Sequence, residues 1–374
     1  MLLTPPVAAL LAEGPDGWGL LATGGWFMAY ALRGPVEALV GRGASGRAGM
    51  ARAEPAVARF WLLLFGALAL SLFLPVVLAR PVILLLLVGA GALLALVPWR
   101  GVPWRTVLRA TLLLTALLLA APLPGAMLLT FPPGRPLIFT PAHVGLAYAE
   151  VEFPSRTDGG RLRGWYIPAA GSGEQSVVLV HGWVNNRLIH DRGLPLARAL
   201  VGAGYNVLLF DLRGHGESER LPVTLGNREQ GDVAGALAFL RERGARQVAV
   251  VGYSIGAVAA LQVVGEHPEV KALVADSPYS DLRAFVEDQF TGRANLPSAY
   301  ARYALWVYGL ISGSDPARVT PLQAAARLER LPVLFIHGTA DRLIPVGESR
   351  KLWAAVEGAE LWIVEGGRHT HSFE

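Results

Sequence analysis

The 374-residue sequence predicts an α/β protein with a doubly wound, mostly parallel sheet, preceded by an apolar helical region at the N-terminus. Three observations carry this. Short β-branched runs alternate with helical patterns from about residue 140 onward. Polar residues cluster where those runs end. The chain is 53% hydrophobic and 17% charged, against about 25% charged in ordinary soluble domains. That deficit points to membrane segments ahead of the α/β part.

The apolar stretches come first along the chain. They cover residues 60–79, 82–98 and 110–129, each near the length a helix needs to cross a hydrocarbon core. Residues 1–59 form an N-terminal segment with a shorter, glycine-rich candidate membrane helix at 17–32 and a basic loop after it. The first long apolar run starts far from Met1, which argues against a secretory signal peptide. Residues 1–130 hold nine arginines against four acids, so the excess behind the chain's net +4 lies beside the apolar stretches. Basic loops there set orientation and stay cytoplasmic. With three crossings, the domain that follows is expected to face outward. The same distribution argues against a nucleic-acid partner. The chain has no cysteine, which excludes disulfides, thiolate metal sites and Cys nucleophiles.

From residue 140 to 374 the elements follow in order. Residues 146–155 and 160–169 read as a hairpin. Residues 176–182 form a buried strand and 194–205 a helix ending at a glycine. Residues 206–214 are a second buried strand, and 231–244 a helix with another terminal glycine. Strand 247–252, helix 255–267, strands 270–277 and 331–338, helix 349–358 and strand 359–367 complete the pattern. Residues 279–330 lack strand character and read as a helical insertion.

Ligands of open parallel sheets bind at the carboxyl ends of the strands. Six chemically active segments fall there: His181-Gly182-Trp183, Asp211, Ser254, Asp276, "HGTADRLIP" at 337–345 and "GGRHTHSF" at 366–373. "GYSIG" at 252–256 is weak evidence of a nucleophile alone, because the chain holds 43 glycines. Its place after a buried strand and before a helix of small residues strengthens it. The eight histidines show no metal-ligand spacing.

These segments, with "DLRGHGES" at 211–218, resemble the α/β-hydrolase superfamily over about residues 140–374, and more loosely its monoacylglycerol-lipase-like and serine-aminopeptidase-like members. The order Ser, acid, His is the family's. The resemblance implies a triad of Ser254, Asp341 and His369, with backbone donors at Trp183 and Ile255 forming the oxyanion hole, and no cofactor or metal. His371 competes with His369, and Asp276 with Asp341. The family's Gly-x-His and His-Gly-x-x-Asp contexts favour His369 and Asp341. His181, Asp211, Arg213, His215 and Glu217 are expected to brace loops near the site. Residues 279–330 fall where the family carries a lid, and Tyr300, Tyr303, Trp306 and Tyr308 either pack that lid on the core or line an acyl pocket. The chain stops five residues after His369, where the family continues into a helix.

The function expected is therefore a membrane-anchored serine hydrolase of carboxylic esters, lipid-derived esters among them, with membrane lipids as its surroundings. The alternatives are a serine peptidase of the same fold, or a non-catalytic membrane protein that uses the domain as a binding module.

Overall fold

A computed structural model describes residues 116–117, 119–171 and 174–371. The chain divides into two units between Ala121 and Pro122. The expected membrane segments at 17–32, 60–79 and 82–98 lie outside the described residues.

The second unit is built on an eight-stranded sheet. Its strands are β1 (Ala149–Pro154), β2 (Arg161–Ile167), β3 (Gln175–Val180), β4 (Asn206–Phe210), β5 (Gln247–Tyr253), β6 (Val270–Asp276), β7 (Val333–Gly338) and β8 (Glu360–Val364). Their spatial order is β1-β2-β4-β3-β5-β6-β7-β8. β1–β2 and β2–β4 pair antiparallel, and every other pair is parallel.

The central strands are apolar on both faces because both faces are covered. Val178, Val180, Leu208 and Phe210 of β3 and β4 join one cluster with α3 (Glu229–Glu242) and α4 (Ile255–Val263). Their sequence neighbours Val177, Leu179, Val207 and Leu209 join a second cluster on the other face, with Ala197 of α2 (Gly193–Gly202). A strand's side chains alternate between faces, so a continuous apolar run supplies both layers.

The insertion between β6 and β7 is helical. It holds α5 (Leu282–Asp288), a π turn (Gln289–Arg293), α6 (Ser298–Ser312) and α7 (Pro321–Ala325). Asp281 caps α5 by accepting from the Ala284 N–H at 2.9 Å, and Gly313 closes α6 in the left-handed conformation.

The structure differs from the sequence reading at the third apolar stretch. Among the described residues no helix is long and apolar enough to cross a membrane. Residues 122–129 of that stretch instead belong to α1 (Pro122–Thr130), which starts at a proline and packs on the lid. Ala126 of α1 is buried against Val307 and Tyr308 of α6. The Val223 N–H donates to the Thr130 carbonyl at 2.9 Å, fixing the end of the helix. Pro122 lacks the N–H that would bond one turn back, which favours a helix start there over a helix running through. α8 (Gly347–Ala355) completes the elements.

Candidate active site

Ser254 lies between β5 and α4 with φ 52° and ψ −118°, a backbone conformation rare for a residue with a side chain. The turn is held tight from below. A Cβ at Gly256 would stand 2.5 Å from the carbonyl oxygens of Val180 and His181, so only glycine lets α4 approach β3 this closely. The Ser254 N–H donates to the Asp276 carbonyl at 2.8 Å. Strain that persists because its surroundings over-determine it is a mark of functional turns.

His369 follows β8 and reaches back across the sheet's carboxyl end. Its Nε2 stands 3.0 Å from Ser254 Oγ, and its Nδ1 2.7 Å from Asp341 Oδ2. A carboxylate only accepts, so Nδ1 carries the proton and Nε2 is left to accept from the serine hydroxyl. Asp341 is a fully satisfied carboxylate. Its Oδ1 accepts the Leu343 and Ile344 N–H groups at 2.8 and 2.9 Å. Its Oδ2 accepts from His369 and, at 3.2 Å, from His337. Burial opposes the charged form, but the bonds from His337, His369 and Ile344 outweigh it and hold the carboxyl below the usual carboxylate range.

The two competitors are placed elsewhere. Asp276 ends β6 and accepts from the Ser277 hydroxyl at 2.7 Å. His371 meets the Arg192 guanidinium at 2.6 Å and lies against the His190 ring.

Trp183 and Ile255 flank the nucleophile. Gly182 lies so close to Ser254 that a Cβ on it would stand 3.2 Å from the serine Cβ, which brings the next amide, that of Trp183, beside the nucleophile. Ile255 is the first residue of α4, where backbone N–H groups have no helical acceptor. Neither amide donates to an acceptor among the described residues.

The loop that carries Trp183 is strained and heavily braced. Val184, Ile189 and His190 all have positive φ. His215 Nε2 accepts the Val184 N–H at 3.3 Å, while its Nδ1 faces the Arg213 carbonyl at 2.8 Å. His181 repeats the pattern, accepting from the Leu212 N–H at 3.0 Å and facing the Gly182 carbonyl at 2.7 Å. Burial pushes His181 down to about 3 and His215 down to about 4, so both are neutral donors at Nδ1. Asp211 is wholly buried and takes the Arg187 N–H, Nε and Nη2, plus the Glu217 N–H. Arg213 is equally buried between Asp232, Asp158 and Ser155. The segment 211–218 is a brace, as its sequence context implies.

Three contributors had been given no role from sequence. His337 orients Asp341, with its Nδ1 accepting from the Ser349 hydroxyl at 2.7 Å. The i, i+4 spacing of His337 and Asp341 is the signal that could have found it. Arg192 donates to the Thr370 carbonyl, and Ser277 Oγ accepts the Thr370 N–H at 3.2 Å, so the residue after His369 is held from both sides. No local sequence signal links these segments.

The lid aromatics divide between a contiguous row and the core: Tyr300, Tyr303 and Trp306 touch in succession, with ring centroids 6.1 and 6.0 Å apart. Tyr308 is buried and donates to the Val223 carbonyl at 3.0 Å. Tyr303 packs toward α1, and Tyr300 lies beside Phe290. Trp306, at the end of that row, is 60% exposed.

Comparison with known proteins gives a consistent picture. Residues 175–322 match a family described as the alpha/beta hydrolase fold, and residues 1–121 match a family of YwiC-like proteins. The Salmonella typhi protein YfhR is 32% identical over 227 residues, which is 58% of this chain and 73% of that protein. Protein bem46 of Schizosaccharomyces pombe is 25% identical over 221 residues, 58% of this chain and 68% of that protein. Among solved structures, an esterase of Pyrococcus furiosus is similar with 27% identity and a TM-score of 0.55, covering 66% of this chain and 92% of that one.

Proposed function

The chain belongs to the α/β-hydrolase superfamily, and from that premise we propose that it is a serine hydrolase of carboxylic esters anchored to a membrane by its N-terminal region. The observation that carries the reading is the continuous chain Ser254 Oγ–His369–Asp341, at 3.0 and 2.7 Å, beside two amides that donate to no acceptor among the described residues. A neutral serine hydroxyl is a poor nucleophile and needs an adjacent base. His369 Nε2 takes the Ser254 proton as Oγ attacks the ester carbonyl. The tetrahedral oxyanion is met by the Trp183 and Ile255 N–H groups. His369 then returns the proton to the departing alkoxide, leaving an acyl-Ser254. Water, deprotonated by the same nitrogen, releases the acid and restores the hydroxyl. Asp341 holds the imidazole in the required tautomer and stabilises its cation.

The esterase among the solved relatives favours esters over amides. A panel of p-nitrophenyl esters and aminoacyl anilides tests this directly, and anilide turnover exceeding ester turnover would make the protein a peptidase. Fluorophosphonate labelling that is absent from wild type, or unchanged in Ser254→Ala, would leave the domain a binding module. The anchoring reading rests on the apolar stretches at 60–79 and 82–98 and on the start of 110–129. The basic loops favour an outward-facing domain. Alkaline phosphatase and green fluorescent protein fused after residue 374 read the orientation. A fluorescent, phosphatase-inactive pair would put the domain inside.

A further inference from the structure

Among the described residues, five of the twelve large apolar side chains left in solvent lie on or just after two helices that pack together. Leu123 and Met127 of α1, Phe131 just after it, and Trp306 and Leu310 of α6 are all exposed, Trp306 by 60% and Leu310 by 64%. Scattered exposed apolar residues need no explanation, but a cluster on neighbouring elements marks an interaction surface. Beside it runs a groove of about 470 Å³, whose lining includes Leu305, Trp306 and Leu310 together with Arg283 and Arg302. Arg283 has no ion-pair partner among the described residues, and Arg302 reaches Glu287 only at 3.8 Å. Asp315 also lines the groove, but its carboxylate caps the Ala317 N–H at 2.9 Å.

We propose that this face of α1 and α6 docks on the surface of an anionic lipid bilayer, with Trp306 and Leu310 at the headgroup–acyl boundary and Arg283 and Arg302 on lipid phosphates. Two features select a bilayer over a protein partner. Tryptophan flanked by arginine and aliphatic residues is the composition of interfacial anchors. The chain entering α1 is itself the tail of an apolar stretch, with no polar linker between residue 110 and Pro122. If that stretch lies in a membrane, α1 starts at the membrane's edge. The inference rests on the anchored reading above. Docking there brings the lid of the site against the phase that holds lipid esters.

The absence of cysteine makes the test clean. The full chain carrying Leu310→Cys, labelled with the polarity-sensitive NBD fluorophore, is reconstituted into nanodiscs of phosphatidylcholine with or without phosphatidylglycerol. A second chain with Lys271→Cys, at the opposite end of the sheet, is the control. Position 310 should shift to the blue and lose at least half its emission to doxyl-labelled lipid, more in anionic discs, while position 271 does neither. Adding Arg283→Glu and Arg302→Glu should reduce quenching in anionic discs to the level of neutral ones and leave turnover of a soluble ester unchanged. Unquenched, solvent-like emission at 310 from protein retained in the discs would overturn the docking and leave the anchor standing. A blue shift without quenching would mean that the N-terminal unit covers the face, and also overturns it. Protein that fails to stay in the discs would sink the anchor, and the docking with it.

Discussion

Replacing Asp341 with Asn tests the site where its geometry is most restrictive. Oδ1 of Asp341 is locked by two backbone N–H groups at 2.8 and 2.9 Å. The Asn carbonyl oxygen must take that place, because an NH₂ there would face two donors. The NH₂ is then forced to the Oδ2 position, against His369 Nδ1 and His337 Nε2. His369 responds by moving its proton to Nε2 so that Nδ1 can accept. That tautomer cannot take the proton of Ser254 Oγ. The corresponding change in a triad of known mechanism lowers kcat about 10⁴-fold, or roughly 5 kcal/mol at 1.36 kcal/mol per factor of ten. His337 meets the same NH₂ with its own N–H, so a modest loss of thermal stability accompanies the kinetic one. The assay is turnover of a p-nitrophenyl ester together with the rate of fluorophosphonate labelling, on protein whose unfolding temperature has been measured. An Asp341→Asn protein that is folded and keeps kcat within tenfold of wild type would refute the assignment of the acid. If Asp276→Asn were the inactive variant instead, the carboxylate on β6 would be the true partner.

Three further outcomes follow from the bracing around the site. His181 and His215 are held at about 3 and about 4, below the ordinary value of 6.5, so the unfolded chain binds their protons first as pH falls. Their contribution to stability is complete above pH 6.5 and is lost toward pH 4 for His215 and toward pH 3 for His181, with a slope approaching about 1.4 kcal/mol per pH unit for each; His215→Asn should flatten the wild-type curve of unfolding temperature against pH, and an unchanged slope would contradict it. Arg213→Met leaves the buried Asp232 carboxylate unpaired, which costs about 3–5 kcal/mol. Adding Asp232→Leu should restore part of the lost unfolding temperature, and a double variant worse than the single one would speak against the pair being the cause. Gly256→Ala drives a Cβ into two backbone carbonyls at 2.5 Å, so α4 must shift; fluorophosphonate labelling should fall at least tenfold, whereas near-normal labelling would show that the elbow yields without cost.

Much of this was legible in the sequence for local reasons. Strand positions follow from β-branched runs: six of the eight strands lie within the runs that predict them, and β3 and β5 exceed theirs by one residue each. Ser254 is marked by the glycines that let it sit in a strained turn. Asp341 and His369 follow their strands in segments with recognisable neighbours. None of those signals needs knowledge of what lies across the sheet.

The tertiary structure alone decided matters that depend on which strands are neighbours. Asp276 and Asp341 both stand at strand ends, 65 positions apart in the chain. Asp276 bonds its own sequence neighbour Ser277, and only the tertiary structure shows that Asp341 is the carboxylate that meets His369, in the segment after β8. Arg192 reaches Thr370 across 178 residues, a contact that no periodicity encodes. Trp306 is as aromatic as Tyr308, yet one faces solvent and the other is buried, because a helix turns 100° per residue and α6 lies against the core along one side. The stretch 110–129 reads as one apolar segment in composition. Whether its last turns meet lipid or protein depends on Ala126 finding Val307 and Tyr308, since apolar burial is non-directional and takes whichever partner the fold presents.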